Sequence, residues 1–135
     1  MGLWLVTGGA GFIGSHLVDA LVARGEQVRV LDDFSTGRWE NLAAVVDRVE
    51  VMLGDVRDVA AVAKAMEGVE VVVHLAAVAS VQASVEDPRR VWAVNCGGTL
   101  NLLEAARARE IRRFVFASSA AVYGCLLYTS PSPRD

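Results

Sequence analysis

The chain has 135 residues, of which 53% are hydrophobic and 21% charged, and its formal net charge is −3. This composition is typical of a globular protein with a packed core, and the length suits one domain. The small net charge argues against nucleic acid or an anionic membrane surface as a partner. No apolar run reaches the roughly 18 residues of a membrane span, and Cys96 and Cys125 lack metal-ligand spacing. We therefore expect a cytoplasmic protein without a bound metal.

Short apolar runs rich in β-branched residues recur along the chain and predict strands. Most of them are continuously apolar, as expected of parallel strands that are covered by helices on both faces. Strands alternate with helical segments, which predicts an α/β fold built on a doubly wound parallel sheet. We expect five strands in the order 3-2-1-4-5, with the predicted strands at Leu3–Val6, Val28–Leu31, Val49–Leu53, Val71–Leu75 and Phe114–Ala117.

The segments between these strands carry helix signals. In the first, apolar residues recur every fourth position before Gly25, which suits the residue after a helix C-terminus. Asp58 is placed to cap a second helix. The pair Asp87-Pro88 predicts the start of a longer helix that ends near residues 107–109. A further short helix is predicted over residues 39–47.

The strongest motif follows the first predicted strand and reads Thr7-Gly8-Gly9-Ala10-Gly11-Phe12-Ile13-Gly14. Its glycines fit both G-x-G-x-x-G and G-x-x-G-x-x-G spacing. A tight strand-to-helix turn needs positive φ, a pyrophosphate needs backbone without Cβ atoms, and a helix N-terminus attracts phosphate. The motif predicts a Rossmann-type dinucleotide site whose pyrophosphate lies against Gly8, Gly11, Phe12, Ile13 and Gly14.

An acidic residue at the end of the second strand supports this interpretation. The Asp32 carboxylate can accept hydrogen bonds from the hydroxyls of the adenosine ribose, and it would repel a 2′-phosphate. NAD is therefore favoured over NADP as the cofactor. Arg38 is the counter-argument, because an arginine near this loop could hold that phosphate. We interpret the adjacent Asp33 as a solvated turn residue.

Several residues beyond the glycine motif are also candidates for the site, and two of them, Asp55 and Asn95, allow two interpretations. Asp55 follows the third strand and can either accept from the adenine amino group or cap the local turn. His74 ends the fourth strand and is interpreted as a structural histidine. Asn95 bonds either toward the cofactor or only to backbone. Gly97 and Gly98 lie inside a helix, where each costs about 1 kcal/mol relative to alanine, so we expect close packing there.

Taken together, these segments resemble the extended short-chain dehydrogenase/reductases, and within them the NAD-dependent epimerase/dehydratase family. The resemblance covers residues 1–124. It rests on the glycine motif together with Asp32, Gly54-Asp55-Val56, His74-Leu75-Ala76-Ala77, Asn95 and the segment Ser118-Ser119-Ala120-Ala121-Val122-Tyr123-Gly124.

The resemblance implies a role for each matched residue. The glycines would cradle the NAD pyrophosphate, Asp32 would bind the adenosine ribose, and Asp55 with Val56 would line the adenine. The chain would pass beside the cofactor at Leu75, Ala76 and Ala77. Asn95 would help to hold this region. Ser119 would hydrogen-bond the substrate hydroxyl beside a catalytic tyrosine, although the residues alone allow simple turn chemistry for Ser118-Ser119.

The family's chemistry also needs a tyrosine four residues before a lysine, about two dozen residues past the serine. The sole lysine in the chain is Lys64, and neither Tyr123 nor Tyr128 is followed by lysine at that spacing. We therefore expect the catalytic Tyr and Lys to be absent, the substrate domain to be missing and the fragment itself to be inactive.

The sequence changes character after Gly124. Residues 125–135 have no helix or strand period and hold two of the three prolines. Over all eleven positions they resemble the translation of a transposase adapter used in sequencing libraries, with a genuine Pro/Ser tail as the alternative. We expect a partial NAD-binding Rossmann domain over residues 1–124 and a non-native tail over residues 125–135.

For the parent enzyme, the resemblance implies transient oxidation of a nucleotide sugar, with 4-epimerisation of a UDP-sugar favoured. We expect a homodimer that holds NAD tightly and has no nucleic-acid or membrane partner. Three alternatives stay open: a nucleotide-sugar dehydratase or decarboxylase, an NADP-dependent carbonyl reductase, and a non-catalytic dinucleotide sensor.

Overall fold

The computed structural model describes residues 2–123. Strands and helices alternate along most of this range. The strands are β1 (Leu3–Thr7), β2 (Gln27–Asp32), β3 (Glu50–Leu53), β4 (Val69–His74) and β5 (Arg113–Phe116). The α-helices are α1 (Phe12–Ala23), α2 (Val59–Ala65), α3 (Val81–Glu86), α4 (Pro88–Trp92) and α5 (Gly98–Ala108), and 3-10 helices lie at Trp39–Leu42 and Ala120–Tyr123.

All five strands are parallel and lie in the order β3-β2-β1-β4-β5, which confirms the predicted sheet. The register brings the strand ends level: Thr7 pairs with His74, and Asp32 pairs with Leu53. The loops that follow the strands therefore meet at one edge of the sheet. In an open α/β sheet, this carboxyl edge is where ligands bind.

The central strands β1, β2 and β4 are buried on both faces, as their continuously apolar sequences predict, whereas the edge strand β5 is largely exposed. Neighbouring residues of β1 point into different layers: Leu5 packs in the cluster that contains Leu102 of α5, and Val6 in the cluster that contains Val18 of α1. This alternation follows from the two-residue repeat of a strand. The sheet is therefore held between two helical layers, which fixes the positions of the loops at its carboxyl edge.

The predicted helix termini are confirmed by the backbone and by the capping contacts. Gly25 has φ of 82° directly after α1, a conformation that glycine adopts without a steric penalty. The Asp58 carboxylate accepts hydrogen bonds from the N–H groups of Ala60 and Ala61 at the start of α2. Asp87 accepts from the N–H of Arg90 at the start of α4.

Three helical segments differ from the prediction. The long helix expected after Asp87 is divided, because a π-helical segment at Ala93–Gly97 separates α4 from α5. Helix α3 was not predicted; its N-terminus is capped by Ser80, which accepts from the N–H of Ala83. Of the helix expected over residues 39–47, only a 3-10 helix at Trp39–Leu42 is present, and turns follow it. Within residues 2–123, no helix is long and apolar enough to span a membrane.

Candidate functional site

The turn after β1 is shaped by close backbone approaches at its first and last glycines. Gly8 has φ of 73°, and a Cβ there would lie 2.9 Å from the nitrogen of Ala76. A Cβ at Gly14 would collide with the carbonyl oxygen of Gly8. A Cβ at Gly11 would meet only that same oxygen, at 3.3 Å. Gly8 and Gly14 are therefore required by the protein's own packing, whereas Gly11 leaves bare backbone beside the turn.

Helix α1 begins directly after this turn. Its N-cap residue is Gly11, and no side chain caps the helix. The side chains of Phe12 and Ile13 in the first turn are exposed. An uncapped helix N-terminus carries a partial positive charge and N–H groups without helical partners, which suits an anionic group.

Asp32 is 7% exposed at the end of β2, beside the glycine turn. Its Oδ2 accepts a hydrogen bond from the Ala10 N–H at 2.9 Å, and its Oδ1 accepts from the Phe34 N–H at 2.8 Å. A carboxylate has about four acceptor positions. Asp32 therefore anchors two loops and retains acceptor capacity for hydroxyl groups.

A cleft at the carboxyl edge brings together most of the predicted cofactor residues. The predicted residues that line it are Gly8, Gly11, Asp32, Asp55, Val56, Leu75, Ala76 and Ala77. Phe12, Ile13, Gly14 and Asn95 are not part of the lining. Ser119 is exposed after β5, and its carbonyl accepts from the Val122 N–H at 3.2 Å. The catalytic role of Ser119 stays a prediction.

The lining also includes residues to which the sequence assigned no cofactor role: Leu31, Asp33, Ser35, Thr36, Gly37, Gly54, Val78, Arg90 and Val94. Gly37 follows the predicted ribose-binding acid closely, and a Cβ there would lie 3.0 Å from Asp32 Oδ2. The sequence signal that could have indicated Gly37 is a glycine a few residues after Asp32. No sequence signal indicated that Arg90 lines the cleft, because an arginine in a helical pattern is typical of a solvent-exposed helix face. Among the lining residues in the described part of the chain, only Arg90 is cationic.

Asp55 is held in the turn after β3 by Arg57. The Arg57 Nη2 lies 2.6 Å from Asp55 Oδ2, and the Arg57 N–H donates to Asp55 Oδ1 at 2.8 Å. The hydrogen bond from Arg57 lowers the pKa of Asp55, and the charge of Arg90 contributes in the same direction. Asp55 thus has the turn-capping contact that the sequence left open, and it also borders the cleft.

A chain of hydrogen bonds passes through His74. The Thr7 hydroxyl oxygen accepts from the N–H groups of residues 75–76 at 3.0 and 3.1 Å, so its own hydrogen is directed to His74 Nδ1, 2.6 Å away. We therefore assign the hydrogen of the neutral ring to Nε2, which donates to the Thr99 hydroxyl at 2.9 Å. That hydroxyl donates to the Asn95 carbonyl at 2.6 Å. His74 is a satisfied structural histidine, as predicted.

The Asn95 side chain is occupied by one backbone segment. Its Oδ1 accepts from the Val78 N–H at 2.8 Å, and its Nδ2 donates to the Val78 carbonyl at 2.9 Å. Of the two interpretations of Asn95, the structure therefore has the one in which its side chain is hydrogen-bonded to backbone. Since Val78 lines the cleft, Asn95 acts on the cleft by fixing its wall.

Comparison with known proteins decides the family. Residues 4–133 match the model of the NAD dependent epimerase/dehydratase family. The chain belongs to this family. The predicted family and its cofactor, NAD, are thereby confirmed.

The proteins that are similar to this chain include enzymes named for different substrates. The UDP-glucose 4-epimerase of Corynebacterium glutamicum is 43% identical over 120 residues, which cover 89% of this chain and 36% of that enzyme. The crystal structure of a Thermus thermophilus UDP-glucose 4-epimerase with NAD is 46% identical with a TM-score of 0.86, covering 96% of this chain and 42% of that one. A Mycobacterium tuberculosis 3 beta-hydroxysteroid dehydrogenase/Delta 5-->4-isomerase is 41% identical over 126 residues, 90% of this chain and 33% of that enzyme. The chain thus spans less than half the length of these relatives.

The two helical glycines of this family member are expected to respond differently to alanine. A Cβ at Gly98 would collide with the Val56 side chain, whereas a Cβ at Gly97 has no neighbour within 4 Å. We expect Gly98→Ala to lower the free energy of unfolding by about 1–3 kcal/mol, and Gly97→Ala to leave it unchanged or raise it by up to about 1 kcal/mol. Urea unfolding of both variants measures the difference, and equal effects would contradict the packing role of Gly98.

The stability of the protein is expected to fall in mildly acidic solution because of His74. Burial lowers the pKa of His74 from 6.5 to about 4. Between these values the unfolded chain binds a proton that the folded chain does not, so stability declines from about pH 6.5 down to pH 4 and is unaffected above this window. The loss at pH 4 is about 3 kcal/mol.

Urea unfolding of wild type and His74→Gln across this pH range isolates the histidine contribution. The glutamine variant lacks the titrating ring, so its stability is expected to change less between pH 6.5 and pH 4. Exposed His16 is present in both proteins, so any contribution from it cancels in the comparison. Parallel pH profiles for the two proteins would show that His74 does not titrate in this way.

Proposed function

We propose that this chain supplies the NAD-binding part of an enzyme that epimerises a UDP-sugar at C4 through transient oxidation. The observation that carries the proposal is the pairing of the glycine turn with buried Asp32 at adjacent strand ends. It occurs in a chain that is similar over most of its length to UDP-glucose 4-epimerases. The remaining length of those enzymes would contain the rest of the active site.

The residues of the cleft fit a dinucleotide. Gly11 offers bare backbone, and the uncapped N-terminus of α1 favours a diphosphate. Asp32 retains acceptors for the ribose hydroxyls, and with Asp33 in the same lining it disfavours an added 2′-phosphate. Bound NAD would accept a hydride from the substrate and return it.

Ser119 is the residue of this chain that we propose to contact the substrate. It follows β5, so it lies after a strand end at the same edge as the cleft. In this role its hydroxyl would orient the sugar hydroxyl that loses a proton. A base must remove that proton, and the Tyr-x-x-x-Lys arrangement that would do so is not present in the 135 residues. We therefore propose that the chain binds NAD without catalysing turnover.

A second candidate is NAD-dependent oxidation of a hydroxysteroid. The similarity to the Mycobacterium tuberculosis enzyme favours it, because the dinucleotide site would be common to both reactions. The two candidates differ in the substrate, which in the proposed arrangement is recognised mainly outside this chain. A dehydratase or decarboxylase of nucleotide sugars differs from the epimerase in the same way. The acidic lining of the cleft argues against the NADP-dependent reductase.

Cofactor choice tests the role of Asp32. The 135-residue chain is expected to bind NAD at least about tenfold more tightly than NADP, because the 2′-phosphate would face a buried carboxylate. Asp32→Asn keeps an acceptor but removes the charge, so the preference for NAD should shrink. Isothermal titration calorimetry measures both affinities. Asp47→Asn, at an exposed position after the 3-10 helix, removes the same charge away from the cleft and controls for a general change of charge. An unchanged preference in Asp32→Asn would assign cofactor choice to another group.

The reaction itself is tested in a chain that extends to the full length of the relatives. We expect it to interconvert UDP-glucose and UDP-galactose, and the 135-residue chain to bind NAD without interconverting them. Ser119→Ala in the longer chain is expected to lower kcat by roughly 10- to 100-fold with NAD affinity unchanged. Oxidation of a 3β-hydroxysteroid with no action on UDP-sugars would instead establish the second candidate.

A further inference from the structure

The backbone of one residue, Ala10, joins the two loops that border the dinucleotide cleft. Ala10 lies within the glycine turn and is completely buried. Its N–H donates to Asp32 Oδ2 at 2.9 Å. Its carbonyl accepts from the Arg38 N–H at 3.0 Å and from Asn41 Nδ2 at 2.8 Å. The glycine turn is thus hydrogen-bonded to both ends of the segment between β2 and the 3-10 helix.

The loop between those ends is held in a conformation that needs support. Phe34 has φ of 59°, a value that a bulky side chain rarely adopts. Its N–H is bound by Asp32, and its ring stacks on Trp39 with centroids 4.5 Å apart and planes 11° apart. Asp33 Oδ1 accepts from the Ser35 N–H at 2.9 Å. The loop that contributes residues 33–37 to the cleft is therefore fixed by contacts at its start and its end.

We infer that Asn41 is a positioning residue for the dinucleotide site. Its side-chain amide binds the Ala10 carbonyl and so fixes the glycine turn relative to the loop that follows Asp32. Asn41 is not part of the cleft lining, so it acts through Ala10 and not by touching the ligand. The identity of the ligand rests on the proposed function.

The cleft has two walls, the glycine turn after β1 and the loop that begins at Asp32. Asn41 helps to fix these two walls relative to each other before a ligand binds. A dinucleotide spans both walls, because its diphosphate faces the glycine turn and its ribose faces Asp32. When the walls are already fixed to each other, binding loses less free energy in ordering them. A ligand that uses only the Asp32 wall gains little from this alignment. The coupling therefore strengthens NAD binding more than adenosine binding.

The test compares Asn41→Leu with Glu40→Leu in the 135-residue chain. Both place leucine on the same 3-10 helix, and Glu40 is exposed. Calorimetry measures affinity for NAD and for adenosine, and circular dichroism monitors folding. We expect Asn41→Leu to weaken NAD binding about 5- to 10-fold and adenosine binding less than about threefold. Glu40→Leu is expected to change neither affinity.

A second variant gives a pH signature that general destabilisation would not produce. In Asn41→Asp, an ionised carboxylate cannot donate to the Ala10 carbonyl, whereas the protonated acid can. The proximity of that carbonyl raises the pKa of the introduced acid above its usual value of about 4. We expect the NAD affinity of Asn41→Asp, relative to wild type at each pH, to recover as the pH is lowered from 7 toward about 4.5.

The outcomes separate this inference from the proposed function. If wild type binds NAD and Asn41→Leu binds it equally well, the positioning role is overturned. Equal weakening of NAD and adenosine would also overturn it, since the two walls would then not be coupled. If Asn41→Leu does not fold, the pH profile of Asn41→Asp decides, and a flat relative profile overturns the inference. A wild-type chain that binds adenosine but not NAD overturns the proposed function together with the coupling.

Discussion

The hydrogen bond from the Ala10 N–H to the Asp32 carboxylate joins the turn after β1 to the end of β2. A carboxylate that is 7% exposed must have partners, because burial without hydrogen bonds would cost several kcal/mol. Asp32 finds them in two backbone N–H groups, and those groups are thereby fixed in place. The same carboxylate borders the cleft, so the group that organises the loops is also available to a ligand.

The opposite side of the cleft depends on a second polar network. Thr7, His74 and Thr99 form a continuous chain of hydrogen bonds from β1 through β4 to α5. Asn95 extends it to the backbone of Val78 through both groups of its amide. Thr7 and His74 are buried while Asn95 and Thr99 are partly buried, and a network whose groups are paired in this way favours one arrangement over others. The π-helical segment is positioned within this network, which accounts for its place beside the cleft.

These two networks fix both sides of the cleft, and the family assignment agrees with our proposal that this cradle holds a dinucleotide. The same cradle suits several reactions, because hydride transfer to NAD is common to sugar and steroid oxidation. A UDP-glucose 4-epimerase and a steroid dehydrogenase have similar identity to the chain, at 43% and 41%. Specificity must therefore come from residues that contact the substrate, and Ser119 is the one such residue proposed in this chain.

The sequence by itself determined the features whose physical cause is local. The glycine spacing indicated the turn, Asp58 and Asp87 indicated helix starts, and the apolar runs indicated a sheet buried on both faces. The tertiary structure decided the features that depend on partners distant in sequence. Asn41 bonds to Ala10, 31 positions away, and Arg90 reaches the cleft only because α4 packs beside it. No periodicity or cap signals such contacts, because they arise when separate loops meet at the edge of the sheet.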